Sequence, residues 1–294
     1  MNRYIPDIGL ILCGGGGRGA YQIGVWQALR ELGIDKRITA VSGASVGALN
    51  AALFACGDYG LARRIWTEIR QRDIADPVET AGRVLSRVLD FFGSEDRTIT
   101  LPDSEQLANG GVFSRSGLVS LIVENGVHTC VSGCGMPCFA CCHNSDLGVP
   151  EYFDISAYPP EEIPQYLNAS SALPAVFPAE EIGGYHYRDG GISDNTPVKP
   201  LYDIGIRRFI ISYLDTGKAD LSGFPDAEFL ELIPTEEIYL GKSGKKIIKA
   251  GTLDFDGENA ALRMELGYKE TMERLSGIRN GLFSQKRILR NNSG

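Results

Sequence analysis

Two glycine-built turns, GGGGRG at residues 14–19 and GASVG at residues 43–47, constrain this chain more than any other feature of its sequence. Each follows a short apolar, β-favouring run and precedes a stretch of helix formers; after the first, Ile23, Trp26 and Leu29 recur at helical spacing. Strand, tight turn and helix in close succession predict a parallel sheet with crossover helices. Candidate strands lie at residues 9–13, 38–42, 138–143, 185–188 and 208–213, and a final helix at 259–275.

Glycines have no Cβ to cover their N–H groups, so the 14–19 loop and the helical turn after it can direct several donors at one spot. Such a nest holds negative charge, either a phosphate or an oxyanion that exists only in a transition state. Gly14, Gly16 and Gly19 match the dinucleotide spacing, but that function needs an acidic residue after the next strand, where RITAVSG ends in a serine turn. A nucleotide-phosphate loop needs Lys-Ser or Lys-Thr where Arg18-Gly19 stands, and GKSGK at 241–245 lacks the required preceding glycine and reads as a surface turn.

Ser45 occupies the middle of G-x-S-x-G, between Gly43 and Gly47, on a strand-to-helix turn that exposes its Oγ. The plainer alternative is a tight turn with a capping serine; an anion nest just upstream favours a nucleophile. A serine needs a base. The three histidines are His128, His143 and His186, and none follows residue 186, where a Ser–acid–His order would require one. His186 is near Asp189 in sequence, but residues three apart on an extended segment face opposite sides. What is left is an acid acting directly on the serine. Asp189, in YHYRDGG, is the candidate: Gly190 and Gly191 let the chain turn sharply and carry the carboxylate over a neighbouring loop. Burial would raise its pKa and N–H donors would lower it. The competing role for Asp189 is a hydrogen-bonded turn.

In this order and at these separations, the three motifs resemble the patatin-like phospholipase family. The likeness runs over roughly residues 7–215, takes in NASSALPAVFP at 168–178 and Asp194-Asn195 with Pro197, and continues faintly through AGTLDF at 250–255 and LGYKET at 266–271. It implies a three-layer α/β/α sandwich with a mainly parallel central sheet and a helical cap insertion. It implies lipid acyl hydrolysis with Ser45 as nucleophile and Asp189 as its base. The N–H groups of Gly15, Gly16 and Gly17 would form the oxyanion hole, with Gly14, Gly19, Gly43, Gly47, Gly190 and Gly191 as motif glycines. Arg18 would lie near substrate phosphate or hold the loop against a carboxylate, with a surface salt bridge as the alternative. Substrates would be phospholipids, lysophospholipids or other fatty acyl esters, and the implied cycle needs neither metal nor other cofactor. An acyltransferase sharing the same acyl-enzyme, or a silent lipid-binding module, are the other functions this pattern allows.

A chain of 294 residues, 43% hydrophobic, can bury one large core. We expect a single domain over residues 1–294, with 60–125 as a helical cap insertion and 216–294 as a C-terminal extension packed on the core. Within the cap, helices are expected at 61–72, 78–92 and 117–124; the second, ending in Phe91 and Phe92, would line an acyl channel, touch a membrane or pack on the sheet. No apolar run is long enough to span a membrane, which suggests a cytoplasmic protein with transient membrane contact through the cap. The net charge of −8 argues against nucleic acid and against electrostatic attachment to anionic lipid. Seven cysteines suggest a reducing compartment. Cys130, Cys134, Cys138, Cys141 and Cys142 fit no familiar zinc spacing, and CFACCHN reads as a buried strand; metal binding and redox sensitivity are the alternatives. Cys13 and Cys56 are expected to be buried.

Overall fold

The computed structural model describes residues 8–69, 117–174, 177–241 and 254–276. The expected helix at 78–92 and all but the first residue of the 241–245 turn lie outside them.

The first strand, β1 (Ile8–Leu12), is buried along its whole length and runs parallel to β2 (Ile38–Ala44) on one side and β7 (Arg208–Ser212) on the other. Beyond β2 lies β3 (Cys138–Asn144), and beyond β7 lies β8 (Glu228–Leu232), both also parallel. Three strands joined by antiparallel pairing complete an eight-stranded sheet: β4 (Val149–Asp154) and β6 (Tyr185–Asp189) against β3, and β5 (Glu180–Ile182) against β6. The sheet is thus mainly parallel, as the sequence predicts, with an antiparallel flank that it does not.

Strand geometry sends alternate side chains to opposite faces. Leu10, Leu12, Val41 and Ile210 enter one apolar cluster, whereas Ile11, Cys13, Phe209 and Ile211 enter another, so the sheet is covered on both sides. On the first face pack α1 (Ala20–Glu31), α2 (Val46–Cys56), α3 (Tyr59–Glu68) and the C-terminal α8 (Gly257–Ser276). Short α7 (Lys199–Asp203) covers the second face through Leu201. The other α-helices among the described residues are α4 (Gly117–Glu124), α5 (Val127–Val131) and α6 (Ile163–Ser170).

The described ends of the 60–125 segment belong to the main core: Ala62, Ile65 and Trp66 of α3 and Ile122 of α4 are buried in the large cluster. Helix α3 starts at Tyr59, capped by the Asp58 side chain, and ends at Glu68, earlier than expected. In the 216–294 segment, β8 is a sheet strand and α8 lies against α1 at close range. A Cβ on Gly24 would fall inside the carbonyl of Met264, and one on Gly267 would fall inside that of Tyr21. Backbone meets backbone there, which only glycine allows.

β1 is the sheet's turning point, with β2 to one side and β7 to the other. In open α/β sheets ligands sit beyond the carboxyl ends of strands at such a point. Both glycine turns leave the sheet here, 14–19 from β1 and Ser45 from β2.

Candidate active site

Ser45 joins β2 to α2 with φ 55° and ψ −129°, the single positive-φ non-glycine among the described residues. A non-glycine residue held there costs roughly 1–3 kcal/mol and persists only where its surroundings enforce it. They do so by close packing. Added Cβ atoms on Gly43 and Gly47 would collide with the Gly47 and Leu12 carbonyl groups respectively. From the other side, the Ser170 hydroxyl accepts the Ser45 N–H at 3.1 Å and donates to the Cys141 carbonyl at 2.6 Å. Ser45 is 8% exposed.

Asp189 arrives by strand pairing. Along one edge of β3, Cys141 pairs with Ala44 of β2 and the next residue, Cys142, pairs with Asp189 of β6. β2 and β6 therefore meet almost end to end on that edge, while β4 holds the opposite edge. This register brings Asp189 against the residue before Ser45. Gly190 makes the approach possible, since a Cβ there would collide with the Cys141 carbonyl. The Asp189 backbone N–H is tied to the Ala172 carbonyl at 3.0 Å, so the segment NASSA anchors both Ser45 and Asp189.

The Asp189 side chain is 2% exposed. Its Oδ1 accepts the Gly191 N–H at 2.8 Å, while Oδ2 is buried without a hydrogen bond of ordinary geometry. Burial pushes its pKa up to about 6; the neighbouring Ser45 hydroxyl and the Gly191 amide pull it partly back. The carboxyl thus keeps one committed oxygen and one free for a proton.

The 14–19 loop bends over the same spot. A Cβ on Gly14 would stand 3.0 Å from Cβ of Ser45, and the Gly14 N–H donates to Asn195 Oδ1 at 2.9 Å. Residues 16–19 form a 3-10 turn, entered through Gly16 at φ 58°. Carbonyls in and just before it are held by buried donors. Gln22 Nε2 reaches the Cys13 carbonyl at 2.8 Å, Arg18 Nε the Gly15 carbonyl at 3.1 Å, Arg263 Nη1 the Gly17 carbonyl at 3.3 Å and Asn50 Nδ2 the Gly19 carbonyl at 3.0 Å. By contrast, the N–H groups of Gly15, Gly16 and Gly17 have no acceptor among the described residues. In a helical turn carbonyls point one way along the axis and amides the other. Pinning the former leaves the latter pointing away from those donors.

Arg18 is buried, which rules out the surface salt bridge. Its guanidinium lies over the Tyr239 ring, 5.5 Å from the centroid. Burial lowers its pKa most, Tyr239 and Asp215 oppose that, and Arg263 adds to it. His186 is exposed and bonded to Asp146, its backbone N–H at 2.6 Å and Nδ1 at 3.2 Å. None of the three histidines bonds Ser45 or Asp189. Burial, then Arg188, lowers the pKa of half-buried His143.

The cysteine-rich segment is mostly core. Cys138, Cys141 and Cys142 lie buried in β3, and burial raises their thiol pKa values. Cys134 is half-buried and Cys130 exposed. Cys56, expected inside, is half-buried because it ends α2.

Sequence reasoning missed Asn50, Gln22, Ser170 and Arg263 as parts of the site. The first two look like ordinary polar residues on apolar helices; their signal is that both are 2% exposed and joined to each other, Asn50 Nδ2 to Gln22 Oε1 at 2.8 Å.

A family model described as patatin-like phospholipase matches residues 10–202. Lysophospholipase NTE1 of Cryptococcus neoformans is 32% identical over 218 residues, 73% of this chain but 11% of that protein. Patatin-like phospholipase domain-containing protein 7 of Rattus norvegicus is 27% identical over 225 residues, 75% of this chain and 14% of that protein. The chain therefore spans only a small part of the length of the curated relatives it matches. Human GIVD cytosolic phospholipase A2, solved with methyl gamma-linolenyl fluorophosphonate, shares the fold with a TM-score of 0.50 at 11% identity, over 92% of this chain and 58% of that one.

Proposed function

Because the chain belongs to the patatin-like phospholipase family, we propose that it is a serine acyl hydrolase that cleaves carboxylic esters of phospholipids or lysophospholipids through an acyl-enzyme on Ser45. One observation carries this most: a buried Asp189, with a pKa near 6 and one oxygen free, beside a serine in an enforced strained conformation.

Asp189 takes the Oγ proton of Ser45 as Oγ attacks the ester carbonyl. The carbonyl oxygen gains negative charge facing the Gly15, Gly16 and Gly17 N–H groups, whose donors are already oriented and so stabilise the transition state more than the starting ester. Protonated Asp189 then gives its proton to the departing alcohol. In the second half, water loses a proton to Asp189 and attacks the acyl carbon, releasing fatty acid and restoring Ser45. A base near pKa 6 suits both halves at neutral pH, since it is ionised at rest yet basic enough to hold the proton briefly. Gly14 and Asn195 join the glycine loop to the Asp189 loop, and buried Arg18 adds positive field behind the nest.

The chain has a net charge of −8, so a lipid surface would be met through apolar contact. No helix among the described residues is long and apolar enough to cross a membrane.

The test is fatty-acid release from palmitoyl-lysophosphatidylcholine and from dipalmitoyl-phosphatidylcholine, with Ser45→Ala as control and glycerol added as acceptor in a parallel series. Free palmitate that disappears with Ser45→Ala supports the proposal. Palmitoyl-glycerol as the main product would redirect it to acyl transfer, and release unaffected by Ser45→Ala would refute it.

A further inference from the structure

The strongest unassigned feature is a buried cation from the far end of the chain. Arg263, on α8, is 1% exposed, yet the family match ends at residue 202. Its guanidinium forms a charged pair with Asp254, Nη2 to Oδ2 at 2.6 Å. Nε donates to the Ile238 carbonyl at 3.3 Å, and Nη1 donates to the Asp254 carbonyl at 3.2 Å and the Gly17 carbonyl at 3.3 Å. The Asn259 amide steadies Asp254 at 3.1 Å. An isolated buried guanidinium is costly, and a structural role would be met by apolar side chains of similar volume. What those could not do is hold a backbone carbonyl.

From this network we propose that Arg263 is a positioning residue for the oxyanion step. It fixes the Gly17–Arg18 peptide so that the carbonyl faces α8 and the preceding amides face Ser45. The proposal rests on the assignment of Gly15, Gly16 and Gly17 as oxyanion donors. A four-glycine loop is conformationally free, and without outside restraint its amides would reorient at an energetic cost during each turnover. Gln22, Asn50 and Arg18 secure the two ends of the loop, and Arg263 reaches the Gly17 carbonyl between them from α8. Its own position is fixed by the glycine contacts of Gly24 and Gly267 between α1 and α8. The guanidinium also stands behind the nest as a charge, less solvated than an ammonium and able to donate in three directions at once.

The experiment compares wild type, Ser45→Ala, Arg263→Ala, Arg263→Lys and Asp254→Asn. For each, one measures kcat and KM on p-nitrophenyl butyrate, the rate of Ser45 labelling by a fluorophosphonate, and the melting temperature. Arg263→Ala is assayed again with about 20 mM guanidinium chloride, far below denaturing levels, against sodium chloride. We expect kcat and the labelling rate to fall about 10- to 100-fold in Arg263→Ala with KM within about two-fold, less than the loss of a donor itself. Guanidinium should restore part of that rate, and Asp254→Asn should show a smaller loss of the same kind. A merely structural role would lower the melting temperature without guanidinium rescue and without the kcat-specific loss, and would overturn the proposal. If Arg263→Ala does not fold, Arg263→Lys and Asp254→Asn decide: rates within about two-fold of wild type in both overturn it. Should wild type itself show no Ser45 labelling, the oxyanion assignment fails and this proposal with it. Labelled wild type with unaffected variants defeats this proposal alone.

Discussion

The two glycine turns reach the same point by opposite means. Around Ser45 the restraint is local and steric: Gly43 and Gly47 let α2 press against the ends of β1 and β2, and Ser170 supplies one bridge. Around residues 14–19 the restraint is remote and polar, delivered by Gln22, Asn50, Asn195 and Arg263. On the proposed mechanism, the difference follows from what each turn must present. A single side chain is aimed by one strained residue in a packed corner, whereas a set of backbone amides is aimed by holding the carbonyls between them.

This contrast predicts how each turn fails. The largest effect should come from Gly47→Ala, whose Cβ would collide with the Leu12 carbonyl; with backbone on both sides nothing can yield, and a loss above about 4 kcal/mol is expected. Thermal melting checks it, and a variant melting within a few degrees of wild type would show that the corner is looser than described. Asn50→Ala should cost about 2–4 kcal/mol, because it leaves the buried Trp66 Nε1–H, bonded to Asn50 Oδ1 at 2.9 Å, without its acceptor and takes the side-chain donors from the Gly19 carbonyl and Gln22 Oε1. Urea titration gives that number, and fluorophosphonate labelling of the surviving protein should slow as the loop loosens.

Asp189→Asn should act in the other direction. The folded-state pKa of about 6 lies above the ordinary 3.8. The native state therefore holds that proton more tightly than the unfolded chain. The resulting stabilisation is full below pH 3.8 and is lost as pH rises through about 6. Above that, the buried charge costs on the order of 3 kcal/mol. The neutral amide of the variant carries no such charge, so Asp189→Asn should melt higher than wild type at pH 8 and nearly match it at pH 4. Equal gains at both pH values would contradict the assignment of the shift to Asp189. The smallest effect belongs to the exposed pair His186–Asp146, where His186→Asn should change stability and turnover little, by less than about 0.5 kcal/mol.

The N-terminal architecture was legible because its signals are local. Apolar runs followed by glycine turns mark β1 and β2 to within two residues, and the buried CFACCHN run marks β3. Strands β4 and β5 were not legible. VPEYFD carries a proline and two carboxylates, as suits a half-buried strand pairing on one edge, and EEI is only three residues long. Asp189 could be singled out from Asp-Gly-Gly, but the way it reaches Ser45 depends on β2 and β6 sharing one edge of β3, a register no local pattern encodes. Arg263 was invisible for the same reason. Its helix reads as a charged surface helix, and the one trace of its role is that AGTLDF and LGYKET, which contain Asp254 and Gly267, flank it.

The dyad itself is tested most directly by intact-mass measurement after fluorophosphonate treatment across pH 4–9, comparing wild type, Ser45→Ala and Asp189→Asn. A single adduct on Ser45 is predicted, with a rate that rises through pH about 6 as Asp189 ionises and that loses this step in Asp189→Asn. An adduct on another residue, or a Ser45 adduct whose rate ignores both pH and Asp189, would contradict it.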